Sequence, residues 1–180
     1  MTDQELATAC MQGKREAQKL LFERYAGKML AVCKRYFDSI EQAEDALQEG
    51  FVKVFEKLHQ WNGSGPLGGW IRTIMINTSL THIRSEKKWS DTVEIDDAIE
   101  VDSDALNALE KMQADDILLL IEKMPAGYRT VFNLFAIEGY GHKEIAEMMG
   151  ISENTSKTQF LKSKEWLKKS LLELERKFER

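Results

Sequence analysis

Residues 138–167 read EGYGHKEIAEMMGISENTSKTQFLKSKEWL, and this stretch decides the fold of the C-terminal half of the chain. Two segments with helical periodicity are separated by three residues. Within that break Gly150 supplies a left-handed turn conformation, and Ser152 suits the cap of the second helix. Ala146 is small enough for two crossing helices to approach, and the apolar Ile151 fills the angle between them. The pattern predicts a helix-turn-helix.

The second helix of this motif begins with short polar side chains and one cation. A helix that enters the major groove of DNA needs such side chains, because they let the backbone come near the base edges. The residues expected to contact DNA are Thr155, Ser156, Lys157, Thr158 and Gln159, followed by Lys162 at a spacing suited to a phosphate. A helical hairpin with a solvated polar face is the other interpretation of this segment.

The sequence on either side of the motif also has helical periodicity. Apolar residues recur at intervals of three and four, and no strand-like alternation of any length occurs. Ser39 with Gln42 gives a capping-box pattern, and residues 62–66, NGSGP, predict a loop. We therefore expect an all-α chain, with further helices over residues 2–13, 14–36, 39–59, 67–84, 105–124 and 129–138.

The charge is distributed unevenly along the 180 residues. The whole chain has a formal net charge of −5, but residues 85–110 alone have −7, whereas residues 1–84 and 111–180 each have +1. This pattern predicts two domains, residues 1–88 and 105–180, joined by an acidic flexible linker over residues 89–104. Because charge acts over about 8–10 Å, the acidity of the linker does not exclude DNA binding by either domain.

Several classes of protein are excluded by what the sequence lacks. It has no apolar run of about 18 residues and no apolar segment near its start, so membrane insertion and a secretory signal are not expected. Cys10 and Cys33 lack metal-ligand spacing, and a reducing cytoplasm fits them. No histidine pair has metal-binding spacing and no phosphate loop is present, so we expect no catalytic residue, metal or cofactor.

Both halves of the chain resemble one known family. Residues 124–167 closely resemble the C-terminal promoter-binding domain of extracytoplasmic-function (ECF) sigma factors of the sigma-70 family. The matching positions are Met124-Pro125, Tyr128-Arg129, Glu138-Gly139, Glu144-Ile145-Ala146 and Gly150-Ile151-Ser152. In the N-terminal half, AEDALQEGFVKVFEKL (residues 43–58) and LGGWIRTIMINTSLTHIRSEKK (residues 67–88) are similar to the two helices that mark the other domain of the family. The two matches in this order within 180 residues are highly specific.

The resemblance implies an architecture and a function. It implies an N-terminal sigma region 2 domain of three or four helices and a C-terminal sigma region 4 domain with the helix-turn-helix. The first would bind core RNA polymerase and open the −10 element of a promoter, and the second would read the −35 element as duplex. The implied partners are the clamp and flap regions of core RNA polymerase, promoter DNA and an anti-sigma factor, in the bacterial cytoplasm and without an enzymatic activity.

The family pattern also assigns residues in the N-terminal domain. Asp45, Gln48 and Glu49 fall on the helix that binds the polymerase clamp. Asn77 falls in the region that reads the −10 element, and the backbone contacts expected on the same edge are Arg72, Arg84, Lys87 and Lys88.

The chain departs from the family pattern in both DNA-reading regions. Ile76 and Thr81 stand where an arginine and an aspartate are common, which weakens the basic surface near Asn77. In the recognition helix, Thr-Ser-Lys-Thr-Gln replaces the common Thr-Val-Lys-Ser-Arg, and this departure implies a changed −35 preference.

Two other functions fit the same helices. A stand-alone helix-turn-helix regulator would bind DNA by itself, usually as a dimer at a two-fold site. A helical module that only binds proteins would not need the polar and basic recognition helix. A sigma factor, by contrast, would bind promoter DNA tightly only together with core polymerase.

Overall fold

The structure, a computed structural model, describes residues 1–85 and 114–178. All regular secondary structure in these two ranges is helical, which confirms the prediction of an all-α chain. The chain divides into two compact units, Met1–Glu86 and Lys87–Arg180. The predicted linker over residues 89–104 lies outside the described residues, and so do residues 105–113 of a predicted helix and the side chains of Lys87 and Lys88.

The N-terminal unit consists of four α-helices and a short 3-10 turn. These elements are α1 (Asp3–Met11), α2 (Arg15–Lys34), α3 (Ile40–Lys57), the 3-10 turn Leu58–Gln60 and α4 (Leu67–Ser85). The predicted cap of α3 is present, since the Ser39 hydroxyl accepts a hydrogen bond from the Gln42 backbone N–H at 3.2 Å. Helix α2 ends at Lys34, two residues before the predicted end.

Helices α3 and α4 pack closely, and this contact fixes which of their faces remain exposed. Gly50 leaves no room for a side chain, because an added Cβ would overlap the Sδ atom of Met75. Apolar side chains fill the rest of the contact. They are Ala43, Ala46, Leu47, Phe51 and Val54 of α3 and Leu67, Ile71, Met75, Ile76, Leu80 and Ile83 of α4. Most polar residues of both helices point away from this core, and Thr78 and Ser79 of α4 are buried exceptions.

The C-terminal unit contains four further helices. They are α5 (Ala114–Glu122), α6 (Ala126–Phe132), α7 (His142–Met149) and α8 (Glu153–Phe178), and a π-helical segment, Asn133–Ile137, follows α6 directly. The helix predicted over residues 129–138 is thus corrected: it starts just after Pro125 and continues as a π-helix. Pro125 suits this start because a first-turn residue needs no backbone N–H partner. Gly139, with φ of 81°, follows the end of the segment.

A buried arginine joins α5 to α6. The side chain of Arg129 is 1% exposed, and its Nη1 donates a hydrogen bond to the backbone oxygen of Glu122 at 2.7 Å. Glu122 is the last residue of α5, so the guanidinium satisfies one of the carbonyls that a helix leaves without an internal partner. Leu120, Ile121 and Met124 pack nearby against Leu167 and Leu171 of α8.

None of the helices in residues 1–85 and 114–178 is both long enough and apolar enough to cross a lipid bilayer.

Candidate nucleic-acid interface

The helix-turn-helix predicted from residues 138–167 is formed by α7 and α8. Gly150 takes the left-handed conformation, with φ of 68°, and the Ile151 N–H donates to the Ala146 oxygen at 3.1 Å. The Ser152 hydroxyl accepts from the Thr155 N–H at 3.0 Å and so caps α8. The roles that the sequence predicts for Gly150 and Ser152 are confirmed, and Ala146 is buried, as its predicted place between the helices requires.

Two of the residues expected to contact DNA lie on the inner side of α8. Ser156 is fully buried and Gln159 is 5% exposed, in line with buried Ser163 one turn further on. The expectation that Ser156 and Gln159 contact DNA was therefore wrong. The physical reason is helical periodicity. Ser156 and Gln159 lie on the same side of α8 as the buried residues Leu167 and Leu171, and this side faces the interior of the unit.

The buried hydroxyl of Ser156 has a specific partner. It lies 2.9 Å from Nδ1 of His142 at the start of α7, and the His142 ring stacks on Phe135 with ring centroids 4.3 Å apart. Phe160 of α8 packs on Phe135 at 4.5 Å. Burial, followed by the nearby Lys157 charge, lowers the pKa of His142. This polar and aromatic cluster ties the recognition helix to α7.

The outer side of α8 presents a different set of residues. Asn154 and Lys157 are exposed, and Thr158, Leu161 and Lys162 are partly exposed. Lys157 Nζ lies 2.7 Å from Glu153 Oε1, and this contact lowers the pKa of Glu153. Thr155 is partly buried, and its hydroxyl bonds to that of Ser152. Lys157, Thr158 and Lys162 therefore remain candidates for contacts to DNA.

Asn154 is one of the short polar residues with which this helix begins, but it was not among the residues predicted to contact DNA. It lies in the first turn of α8, is exposed, and shares one stripe with Thr158 and Leu161. A signal for it was present in the sequence. Counting back from Leu167 and Leu171 in steps of three and four gives 163, 159 and 156 as the inner side, which leaves Asn154 on the outer side.

The outer side of α4 forms a second polar surface. Asn77, Thr81 and Arg84 are exposed and share one stripe with Thr73, one turn before Asn77. Arg72 does not share this stripe, because five residues along an α-helix correspond to about 140° of rotation. Arg72 is also partly buried. The expectation that it lies on the same edge as Asn77 was therefore wrong.

A cleft with aromatic walls lies at the N-terminal end of the same surface. Its volume is about 260 Å³, and Trp61, Trp70, Pro66 and Thr73 are among the residues that line it. The indole N–H of Trp61 donates to the Gly65 oxygen at 3.2 Å, which holds the loop before α4 against this ring. Aromatic walls beside polar groups suit an unstacked nucleic-acid base.

The outer side of α3 carries the residues expected to bind polymerase. Asp45 and Gln48 are exposed, and Val52, one turn further on, is an exposed apolar residue between them and Glu56. Glu49 is instead held within the domain. Its Oε1 lies 2.5 Å from Lys53 Nζ and its Oε2 lies 2.5 Å from His82 Nε2. Both carboxylate oxygens have partners inside the chain, while 43% of the side chain remains exposed, so the binding of Glu49 to polymerase stays a prediction.

Two segments of the chain match families of known proteins. Residues 21–89 match sigma-70 region 2, and residues 114–167 match sigma-70 region 4. Together these segments cover more than half of the chain. The first contains the polar surfaces of α3 and α4, and the second contains that of α8.

The relatives and solved structures that resemble this chain are consistent with one another. The RNA polymerase sigma-H factor of Pseudomonas aeruginosa is 26% identical over 94% of this chain and 93% of its own length. The ECF RNA polymerase sigma-E factor of Escherichia coli K12 is 25% identical over 92% of both chains. CnrH, solved with the cytosolic domain of CnrY, aligns over 96% of this chain and 97% of its own, with a TM-score of 0.50 and 20% identity. RpoE of Bartonella quintana, solved with the anti-sigma factor NepR, aligns over 86% and 96%, with a TM-score of 0.50 and 21% identity.

Proposed function

The chain belongs to the sigma-70 family, in its ECF group, whose members bind core RNA polymerase and direct transcription initiation at specific promoters, and we propose how its surfaces divide that work. The observation that carries the proposal is the pair of helices, α4 and α8, that each turn a polar side outward from a separate compact unit. The proposed domains are residues 1–88 and 105–180, joined by residues 89–104.

We propose that the outer side of α3 docks on the polymerase clamp through Asp45, Gln48 and Val52. The exposed carboxylate and amide suit a basic partner, and the exposed valine adds apolar area to bury. Phe22, another exposed apolar residue, contacts Phe51 of α3 with ring centroids 4.7 Å apart and extends the apolar part of this surface.

We propose that the outer side of α4 contacts the opened −10 element. Asn77 offers both a donor and an acceptor for base edges, and Arg84 offers charge for the backbone. The cleft between Trp61 and Trp70 lies at one end of this stripe and would hold a base that has left the stack. Lys87 and Lys88 follow directly along the chain and lie outside the described residues.

We propose that α8 reads the −35 element as duplex through Asn154, Lys157 and Thr158, with Lys162 on a phosphate. The first three lie in the first turn and a half after the Ser152 cap, the part of a recognition helix that enters the major groove. Lys162 lies one turn beyond Thr158, where a long cation reaches the backbone.

We further propose an anti-sigma factor as a partner, because the similar sigma factor RpoE was solved with the anti-sigma factor NepR, and the similar CnrH was solved with the cytosolic domain of a second protein, CnrY. Sigma factors are initiation factors and not enzymes, and we propose that this chain has no chemistry of its own and acts in the bacterial cytoplasm, where polymerase and promoters are located.

Transcription from a pool of random duplex promoters tests this function. Core polymerase is incubated with and without the protein, and the transcripts are sequenced. We expect transcripts that depend on the protein and share −10 and −35 sequences. Their absence, together with dimeric binding of the protein alone to a two-fold site, would instead identify a stand-alone regulator.

The core-binding surface is tested by Asp45→Lys combined with Gln48→Ala. We expect weaker binding to core polymerase in a pull-down, with the fold unchanged, because surface changes shift stability by only about ±0.5 kcal/mol. Glu16→Gln, an exposed charge change on α2, is the matched control. Equal core affinity of the double variant and the control would remove this surface from the proposal.

A further inference from the structure

We propose that Glu49 is a positioning residue, which fixes α4 against α3 and so sets how fast α4 opens a duplex −10 element. The inference rests on the proposed role of α4 at that element. It gives Glu49 a role inside the domain, separate from the predicted contact with polymerase.

The geometry of the network carries this inference. Glu49 stands at the edge of the α3–α4 contact and has a nitrogen partner on each helix: Lys53 Nζ of α3 at 2.5 Å and His82 Nε2 of α4 at 2.5 Å. Lys53 Nζ also lies 3.4 Å from Thr78 Oγ1. The network therefore joins one turn of α3 to α4 at two positions, Thr78 and His82, which are four residues apart.

Those two positions adjoin the proposed DNA contacts. Thr78 follows Asn77 directly, and His82 lies between Thr81 and Arg84, two residues of the outer stripe. On this turn of α4, Thr78 and His82 contact Lys53 and Glu49 of α3, while the opposite side of the turn faces the proposed DNA strand. A change in the network is therefore expected to alter the direction of Asn77 and Arg84 without removing either side chain.

The same network contributes little to the stability of the fold. The side chains of Glu49, Lys53 and His82 are 43%, 31% and 26% exposed, and partly exposed ion pairs add little to the free energy of unfolding. Lys53 and His82 lower the pKa of Glu49, in that order, as expected for a carboxylate held by two donors. The apolar contact around Gly50 and Met75 keeps the helices together without the network.

The test compares two promoter templates with full-length protein and core polymerase. One template is a duplex throughout, and the other is already unpaired at the −10 element. We expect Glu49→Gln and His82→Ala each to slow open-complex formation about two- to fivefold on the duplex, the range that a partly exposed ion pair supports. On the unpaired template we expect the wild-type rate, because opening is no longer required. Their double variant should be no slower than either alone, since both changes break one network.

Controls distinguish this role from the alternatives. His82→Gln keeps a donor for Glu49 and should retain most of the rate, and Glu16→Gln should not change it. A decrease on both templates, or weaker core binding, would overturn the inference and make Glu49 a structural or docking residue. An unchanged duplex rate would also overturn it. Asn77→Ala tests the underlying assignment separately: if it has no effect on either template, the proposed role of α4 itself fails.

Discussion

The two helices proposed to read DNA differ in the polarity of the residues on their buried sides. Below α4 the buried side chains are mostly apolar, with Ile71, Met75 and Leu80 at the centre. Below the first turns of α8 the buried residues are Ser156, Gln159 and Ser163. The neighbouring elements match them, since Thr130 and Asn133 of the same unit are also fully buried.

This difference shows when polarity is a guide to exposure. In the N-terminal unit, polar residues of α4 such as Asn77 and Arg84 are exposed, because apolar residues fill the space between the helices. In the C-terminal unit, Ser156 is polar yet buried, because His142 provides a hydrogen-bond partner in the interior. A polar run at the start of a helix therefore indicates DNA contacts only after the inner side of that helix is known.

The largest effect expected concerns the buried polar anchor of the C-terminal unit. Arg129→Ala removes a large buried side chain and the donor to the Glu122 carbonyl, so we expect a loss of about 3 kcal/mol or more in the stability of that unit. Hydrogen exchange of the slowest amides in α6 and α8 measures it. Arg84→Ala, an exposed arginine in the other unit, should change stability by no more than about 0.5 kcal/mol. Equal losses of stability in the two variants would show that the burial of Arg129 does not explain its contribution to stability.

The apolar contact of the N-terminal unit is tested with a pair of glycines. Gly50→Ala places a methyl group against Met75, and we expect destabilisation of about 1–3 kcal/mol from overpacking. Gly27→Ala in α2 meets nothing within 4 Å and should stabilise by up to about 1 kcal/mol through helix propensity. Denaturant unfolding of both variants checks the opposite signs. A gain in stability for Gly50→Ala would mean that Met75 moves aside without cost.

The two sides of α8 should respond differently in DNA recognition. Lys157→Ala removes an outer candidate, and loss of a base contact costs about 1–3 kcal/mol, concentrated at one promoter position. Ser156→Ala removes an inner hydroxyl and should leave the preferred −35 sequence unchanged. Transcription from a library of randomised −35 elements compares them. A changed preference for Ser156→Ala with an unchanged one for Lys157→Ala would reverse the assignment of the two sides.

The smallest effect expected is a dependence of the stability of the C-terminal unit on pH, in the range where His142 titrates. Because the folded unit lowers the pKa of His142, the unfolded chain binds the proton more readily. The contribution to stability is present above the unfolded pKa of about 6.5, and it is lost as the pH falls through the folded value.

Unfolding of the C-terminal unit measured across this pH range checks the effect. His142→Gln should flatten the dependence, whereas His59→Gln, an exposed histidine of the other unit, should leave it as it is. If the stability of the His142→Gln variant still depended on pH in this range, the proton uptake would belong to another group.

The sequence by itself determined the helices, the turn and the family. Gly150 and Ser152 fix the turn through their own backbone and side-chain preferences, and Ser39 caps α3 for the same reason. Such effects act over a few residues, so they can be predicted without knowledge of the rest of the chain. Asp45, Gln48 and Asn77 could also be predicted as exposed, because each lies opposite a continuous apolar stripe.

Only the tertiary structure decided the roles of the residues that meet a distant partner. The position of Glu49 on α3 predicts an exposed side chain. In the structure, His82, which lies 33 residues further along the chain, contacts its carboxylate. Ser156 looks like a DNA contact until His142 is placed against it, and Arg129 gains its role from the end of α5. Periodicity specifies the side of a helix on which a residue lies. Which groups pack against that side depends on how the helices assemble, and a hydrogen bond or ion pair across that contact determines whether a polar residue binds a partner or holds the fold together.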